Sequence, residues 1–270
     1  MAATDKAFTG SIPELYERHL VPLIFEPYAQ DLAEEVRRLK PSSVLETAAG
    51  TGVVTRALTA VLPPATRLVA TDLNTAMLDV ARAHVPRECP VEWRQADALA
   101  LPFEDETFDV VTCQFGAMFF PDKRQGFREA WRVLRPSGRF LFSVWDDIGA
   151  NEFPEAVMQA LADVFPDDPP RFLARTPYGY CDTARIIEDL TAAGFADVRS
   201  ETVEHVSRSE TPREPALAFC QGTPLRGEIE ARDAACLEEA TQRAAEALAK
   251  RFGEGPIQGR IRAIVFCAIR

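Results

Sequence analysis

Apolar and polar positions along the chain follow two periods. Short runs rich in Val, Leu and Phe, bounded by turn residues, read as strands at SSVLE (42–46), TRLVATD (66–72), VEWRQ (91–95), FDVVTCQ (108–114) and GRFLFSVW (138–145). Between the last two, DKRQGFREAWRVL places Phe127, Ala130, Trp131 and Leu134 at i, i+3, i+4 and i+7, one apolar stripe of a helix. RPSG then closes that helix, because Pro136 cannot continue it and Gly138 is free to turn. Helices also precede the first strand, at IPELYERHL and at EPYAQDLAEEVRRLK, where Leu32, Val36 and Leu39 share a face. Strand alternating with helix predicts a parallel sheet covered on both faces.

Beyond Trp145 the pattern loosens. NEFPEAVMQALADVF reads as a helix, PDDPPRFLARTPYGY as a proline-rich loop, and TARIIEDLTAAGF as a helix stopped by Gly194. DVRSETVEHVS alternates like a strand with one solvated face, 215–252 reads as helices, and IRAIVFCAIR closes the chain as a strand. The sequence has no internal repeat or low-complexity segment.

The first strand runs into VLETAAGTG, a turn with almost no side chains. A turn from a parallel strand into its helix lies at the carboxyl edge of the sheet, where open α/β sheets bind ligands. Gly50 and Gly52 let a ligand approach the main chain, and free N–H groups at a helix start favour negative groups. The competing structural reading is close helix–strand packing. Asp72 ends the second strand, 20 residues past Gly52, the place for an acid that accepts from both hydroxyls of a ribose. Asp72 or Asn74 also suits the N-cap of the next helix. Asp97, after the third strand, joins Glu46 and Asp72 as a third acid on the same edge; its own competing reading is a turn or cap residue, but three strand-tip acids are hard to explain as three separate caps.

Composition narrows the partners. With 270 residues, 47% hydrophobic and 26% charged, the chain suits one large α/β domain with insertions. A formal charge of -11 disfavours nucleic acid, which needs a basic surface. No run approaches the roughly 18 apolar residues of a membrane span, and MAATDKAFTG has neither a basic nor an apolar leader region, so a cytoplasmic protein is expected. Six scattered cysteines without a C-x-x-C pair suit reduced thiols, and His19, His84 and His205 form no metal-ligand spacing. No metal is expected.

From about Lys40 to Trp145 the chain resembles the class I S-adenosylmethionine-dependent methyltransferases of the UbiE-like, small-molecule type. The matching stretches are VLETAAGTG, ATDLNTAMLDVAR, QADALALPFEDETFDVV and RVLRPSGRFLFS. The resemblance implies a Rossmann-like, doubly wound α/β fold: a mostly parallel seven-stranded sheet, last strand antiparallel, with helical insertions forming a cap. It also implies a division into N-terminal helices (1–39) covering the cofactor site, a methyltransferase core (40–146 and 183–270), and insertions (147–182 and 213–255) over the acceptor. The implied cofactor is S-adenosyl-L-methionine, with S-adenosyl-L-homocysteine as product. Asp72 would hold the ribose, Leu73 and Met77 would flank the adenine, and Asp97 with the Ala98 N–H would meet its edge. Glu46, Ala48, Gly50, Gly52 and Gln114 would surround the methionine end, and Tyr16 would cover it. Ala48 stands where the family often has glycine, which fits if its φ stays negative.

Methyl transfer from a sulfonium needs alignment more than a catalytic side chain, and no catalytic residue is assigned; His19 and His205 read as structural. Phe115, Met118, Phe119 and Phe120 after the fourth strand, with Phe153, Phe172, Tyr178, Tyr180 and Phe219 in the insertions, suggest a small, largely apolar acceptor. The expected assembly is a monomer or homodimer. DDPPR (167–171) resembles an adenine-methyltransferase motif but follows the wrong strand, so it reads as a loop. Two rivals stand beside this reading. A nicotinamide-dependent oxidoreductase would want glycine where Thr55 stands, and a protein that binds S-adenosylmethionine without turnover would share every motif.

Overall fold

The computed structural model describes residues 10–86 and 89–270. In chain order its elements are α1 (Ile12–Leu15), a π-helical stretch (Tyr16–Phe25), α2 (Glu26–Leu39), β1 (Ser43–Glu46), α3 (Val53–Val61), β2 (Arg67–Asp72), α4 (Thr75–His84) and β3 (Val91–Gln95). There follow β4 (Phe108–Gln114), α5 (Lys123–Val133), β5 (Leu134–Trp145), α6 (Glu152–Val164), α7 (Phe172–Arg175), α8 (Thr183–Ala193) and β6 (Asp197–Ser209). The chain ends with α9 (Arg213–Gln221), α10 (Leu225–Arg232), α11 (Leu237–Phe252) and β7 (Ile257–Ile269). Two compact units result, one of residues 26–144, 181–203 and 264–270, the other, among the described residues, of 10–25, 145–180 and 204–263; β5, β6 and β7 contribute residues to both.

All seven strands expected from the sequence join one sheet, in the order β3-β2-β1-β4-β5-β7-β6. β1, β2, β3, β4 and β5 pair in parallel. β7 runs against β5: the Arg270 N–H donates to Gly138 O at 3.1 Å and the Asp146 N–H to Arg262 O at 3.0 Å, so one strand advances as the other retreats. The chain order reverses between β1 and β4, and the carboxyl ends of these strands open the crevice in which such sheets take ligands.

Alternation along the strands explains the layers of the first unit. Val44, Leu68, Val110 and Leu141 point to one face, against Ala29, Leu32, Ala33 and Val36 of α2 and Val54 and Leu58 of α3. Phe140 and Phe142, on either side of Leu141, point to the other face, where Phe127 of α5 meets them at ring-centre distances of 5.9 and 5.3 Å. The Gly194 stop after α8 has φ 113°, as a left-handed C-cap requires. RPSG differs from expectation. The helix ends at Val133, but Arg135–Gly138 lie inside β5 as a bulge: Leu134 pairs with Phe108 and Arg139 with Val110, leaving the residues between outside the β4 ladder.

The second unit is mainly helical, with α11 packed on α6 and α9. A ladder of rings links Tyr16 to Phe25 (5.2 Å), Phe25 to Trp145 (5.8 Å) and Trp145 to Tyr178 (5.8 Å). The proline-rich stretch 166–180 is a loop except for the single turn α7. That turn forms because Glu228 of α10 accepts the N–H groups of Arg171 and Phe172 at 2.7 and 3.1 Å and pairs with Arg175 at 2.8 Å. Among the described residues no helix is long and apolar enough to cross a membrane.

Candidate functional site

β1 delivers Glu46 to the reversal point of the sheet, 2% exposed. The Thr55 hydroxyl, third residue of α3 and reached by way of the glycine turn, donates to its Oε2 at 2.6 Å. Burial pushes the Glu46 carboxyl up to about 8; the Asp72 charge adds to the rise, and the Thr55 hydrogen bond and Arg56 oppose it. A carboxyl so placed holds its proton at neutral pH.

The turn itself is pinned from both neighbouring strands. The Thr47 N–H donates to Thr112 O on β4, and the Ala49 N–H donates to Thr71 O on β2, each at 2.9 Å. Gly50 and Gly52 have φ of 57° and 84°, the left-handed region where glycine carries no steric penalty. Ala48 overturns the expectation of a negative φ, for its value is 52°. Left-handed backbone at an L-residue costs roughly 1–2 kcal/mol. The room for its methyl comes from Gly116, where a Cβ would lie only 2.5 Å from that of Ala48.

The two glycines are bare for different reasons. A Cβ on Gly52 would meet Ala81 Cβ at 2.9 Å and Trp93 Cη2 at 3.6 Å, so the packing of α4 and β3 fully accounts for it. A Cβ on Gly50 would meet only the mobile end of Met77, at 3.7 Å. Gly50 therefore leaves open main chain with no packing demand behind it.

Asp72, at the tip of β2, accepts from the Gly50 N–H at 2.9 Å and from the Asn74 N–H at 2.8 Å. Burial raises its carboxyl above the usual range, and these backbone hydrogen bonds restrain the rise. Asn74 occupies the N-cap of α4 without a side-chain cap bond. Leu73, next to the buried acid, is 43% exposed, while Met77 is buried. Asp97 is exposed and its Oδ1 accepts from the Leu99 N–H at 2.9 Å, so the turn-forming role weighed for it is present. Ala98 beside it is half-buried. Gln95 Nε2, donating to Leu73 O at 3.1 Å, ties the β3 and β2 tips together. Gln114 closes β4 opposite Ser143.

Glu46, Ala48, Gly50, Gly52, Asp72 and Met77 are thus joined in one cluster, with Leu73, Asp97, Ala98 and Gln114 on adjoining tips of the same edge. Tyr16 belongs to the other unit, stacked on Phe25. Two features escaped the sequence reading: the bond from Thr55 to Glu46 and the left-handed backbone of Phe115. Thr55 looked like a missing glycine, and its bond to Glu46 spans nine residues. Phe115 has φ 53° with its ring edge-on to Tyr28 at 5.3 Å, and no local signal marks a bulky residue for that conformation.

The cluster suits an adenosine-linked amino acid on three counts: an exposed leucine beside a buried acid, open main chain at Gly50, and a buried Thr51 hydroxyl in the same turn that has no hydrogen-bond partner among the described residues. Comparisons with known proteins agree. Residues 45–142 match the family model described as a methyltransferase domain. A demethylmenaquinone methyltransferase of Deinococcus radiodurans is 39% identical over 142 residues, 52% of this chain and 58% of the relative. The ubiquinone/menaquinone biosynthesis C-methyltransferase UbiE of Hahella chejuensis is 42% identical over 103 residues, 37% and 41% of the two chains. The chain spans about half the length of these curated relatives. The solved phosphoethanolamine N-methyltransferase 2 of Haemonchus contortus, in complex with S-adenosyl-L-methionine, shares the fold with a TM-score of 0.62 at 17% identity, over 100% of this chain and 60% of its own.

Proposed function

We propose that the chain, whose residues 45–142 match a methyltransferase domain, is a class I S-adenosylmethionine-dependent methyltransferase that transfers a methyl group from S-adenosylmethionine to a small, largely apolar acceptor by in-line displacement. The observation that carries the reading is the pair of buried acids, Glu46 and Asp72, on either side of the open main chain at Gly50. When bound, the cofactor supplies a methyl group already activated by its sulfonium charge.

The remaining work falls to this chain's residues. Asp72 holds the ribose hydroxyls, and its bonds to Gly50 and Asn74 keep the carboxylate from turning away. Leu73 and Met77 give the adenine apolar contact, and Asp97 with the Ala98 N–H reads its edge. Glu46 answers the ammonium of the methionine end, with Gln114 beside it. Orientation of this kind supplies much of the rate, since holding reactants aligned at near contact contributes roughly 7–11 kcal/mol in the best cases; a base is needed only where the acceptor must lose a proton, which then passes to solvent.

The acceptor class rests on the run after β4, where Phe115, Met118 and Phe120 are buried among apolar neighbours and Phe115 is held in a strained conformation. The relatives' names point to quinone precursors, so a demethylated quinol is the first acceptor to try. The test is incubation with isotopically labelled S-adenosylmethionine and a panel of quinols, phenols, amines and carboxylic acids. A labelled product formed in step with S-adenosylhomocysteine supports methyl transfer. Cofactor uptake with no transfer to any acceptor supports a binding protein without turnover.

A further inference from the structure

The buried carboxyl of Glu46 is more than a counter-charge. We infer that Thr55 fixes Glu46 as a buried proton store, and that docking of the cofactor's ammonium group displaces that proton to solvent. The inference rests on the site assignment proposed above and concerns how that site recognises its ligand.

The geometry supports it in three ways. Glu46 is sealed from water, and its Oε2 has a single-residue anchor in the Thr55 hydroxyl at 2.6 Å. The groups facing it do not include a salt-bridge partner among the described residues: Asp72 comes from β2, Cys113 from β4, and Arg56 on α3 acts on it only at a distance while its own guanidinium donates to Thr51 O. Asp72 lies close enough to repel a charge on Glu46, so the two acids are not both comfortable as anions until a cation joins them. Burial accordingly keeps the Glu46 carboxyl protonated up to about pH 8.

The proton balance is simple. Glu46–COOH and ligand –NH3+ become a carboxylate–ammonium pair, no covalent bond changes between heavy atoms, and one proton passes to the buffer. Below about pH 7 the ligand's α-amino group stays protonated. Affinity then rises up to about tenfold per pH unit as pH increases from 6 to 7, because less work is needed to ionise Glu46. Thr55 stabilises the charged form, so its hydroxyl sets where that rise levels off.

The test is titration calorimetry of S-adenosylhomocysteine into the full chain at pH 6.5, in buffers of different ionisation enthalpy, repeated across pH 6–8. The wild type is expected to release close to one proton per ligand bound. Glu46→Gln is expected to bind more weakly, release none, and show a flat pH profile. Thr55→Val is expected to shift the levelling of the profile to higher pH, and Thr55→Ser to restore it. Binding by the wild type without proton release leaves the methyltransferase reading intact and overturns this inference. A Thr55→Val profile identical to the wild type overturns the role of Thr55. Failure of the folded wild type to bind at all overturns both readings.

Discussion

Gly52→Ala separates packing from ligand binding at the heart of the site. The substituted residue is held at φ 84°, which costs about 1–2 kcal/mol for an L side chain. Its Cβ also lands 2.9 Å from Ala81 Cβ and 3.3 Å from Ala81 Cα, an overpacking that costs about 1–3 kcal/mol. Against these stands about 0.5–1 kcal/mol regained from the stiffer unfolded chain. The net expectation is a loss of about 1–4.5 kcal/mol, read as a lower urea midpoint at unchanged slope. Ala81→Gly removes the obstructing methyl, so the double variant should recover about 1–2 kcal/mol relative to the sum of the single changes. Gly50→Ala lacks the clash, meeting only Met77 Cε at 3.7 Å, and should lose only the strain of about 1–2 kcal/mol while weakening the cofactor more than its stability loss suggests. Strict additivity of Gly52→Ala and Ala81→Gly, or equal destabilisation by the two glycine substitutions, would refute this division of roles.

Two acids make opposite predictions with pH. Glu46 has a folded-state value raised from 4.5 to about 8, so its contribution to stability is full at low pH and declines as pH rises through that window, by up to about 5 kcal/mol. Glu46→Gln should flatten that decline in unfolding curves taken from pH 5 to 8.5; parallel curves for the two proteins would count against the buried protonated carboxyl. Asp109 is the reverse case. Desolvation, which raises it, is outweighed by the Ser42 and Ser43 donors and Arg135, which bring it down to about 2. Its contribution is present above about pH 4 and fades as pH falls toward 2. Asp109→Ala should cost about 1–3 kcal/mol at pH 7 by leaving those donors unanswered, and the difference from wild type should shrink in acid; a constant difference down to pH 2 would contradict the assignment.

What the sequence disclosed, and what it withheld, follows from the range of the forces involved. Strand runs such as FDVVTCQ and the Phe127 and Ala130 positions of the α5 stripe are local patterns dictated by which face meets the core, and the structure realises them, whereas Leu134, read as the last position of that stripe, begins β5. The same holds for Asp72 and Glu46, because an acid just past an apolar run must sit at a strand tip. Contacts between distant segments were not legible. Ala48 takes its positive φ because Gly116 leaves room for it, and nothing in TAAGTG announces a glycine 68 residues away. The turn α7 depends on Glu228, and its own residues read as loop. RPSG combines a true helix stop with a bulge fixed by its pairing to β4, of which only the first is local. Gly50 and Gly52 look equivalent as letters and differ only once α4 is in place.

The central claim is that Asp72 and the open main chain beside it recognise the adenosine part of S-adenosylmethionine. Calorimetric titration of wild type and Asp72→Asn with S-adenosylhomocysteine, with a nicotinamide dinucleotide as control, addresses it directly. The asparagine keeps one oxygen for the Gly50 or Asn74 N–H and removes the charge. The account predicts saturable one-to-one binding by the wild type, affinity about 10- to 100-fold weaker for Asp72→Asn, and no uptake of the dinucleotide. Equal affinity in the two proteins, or saturation by the dinucleotide alone, would contradict it.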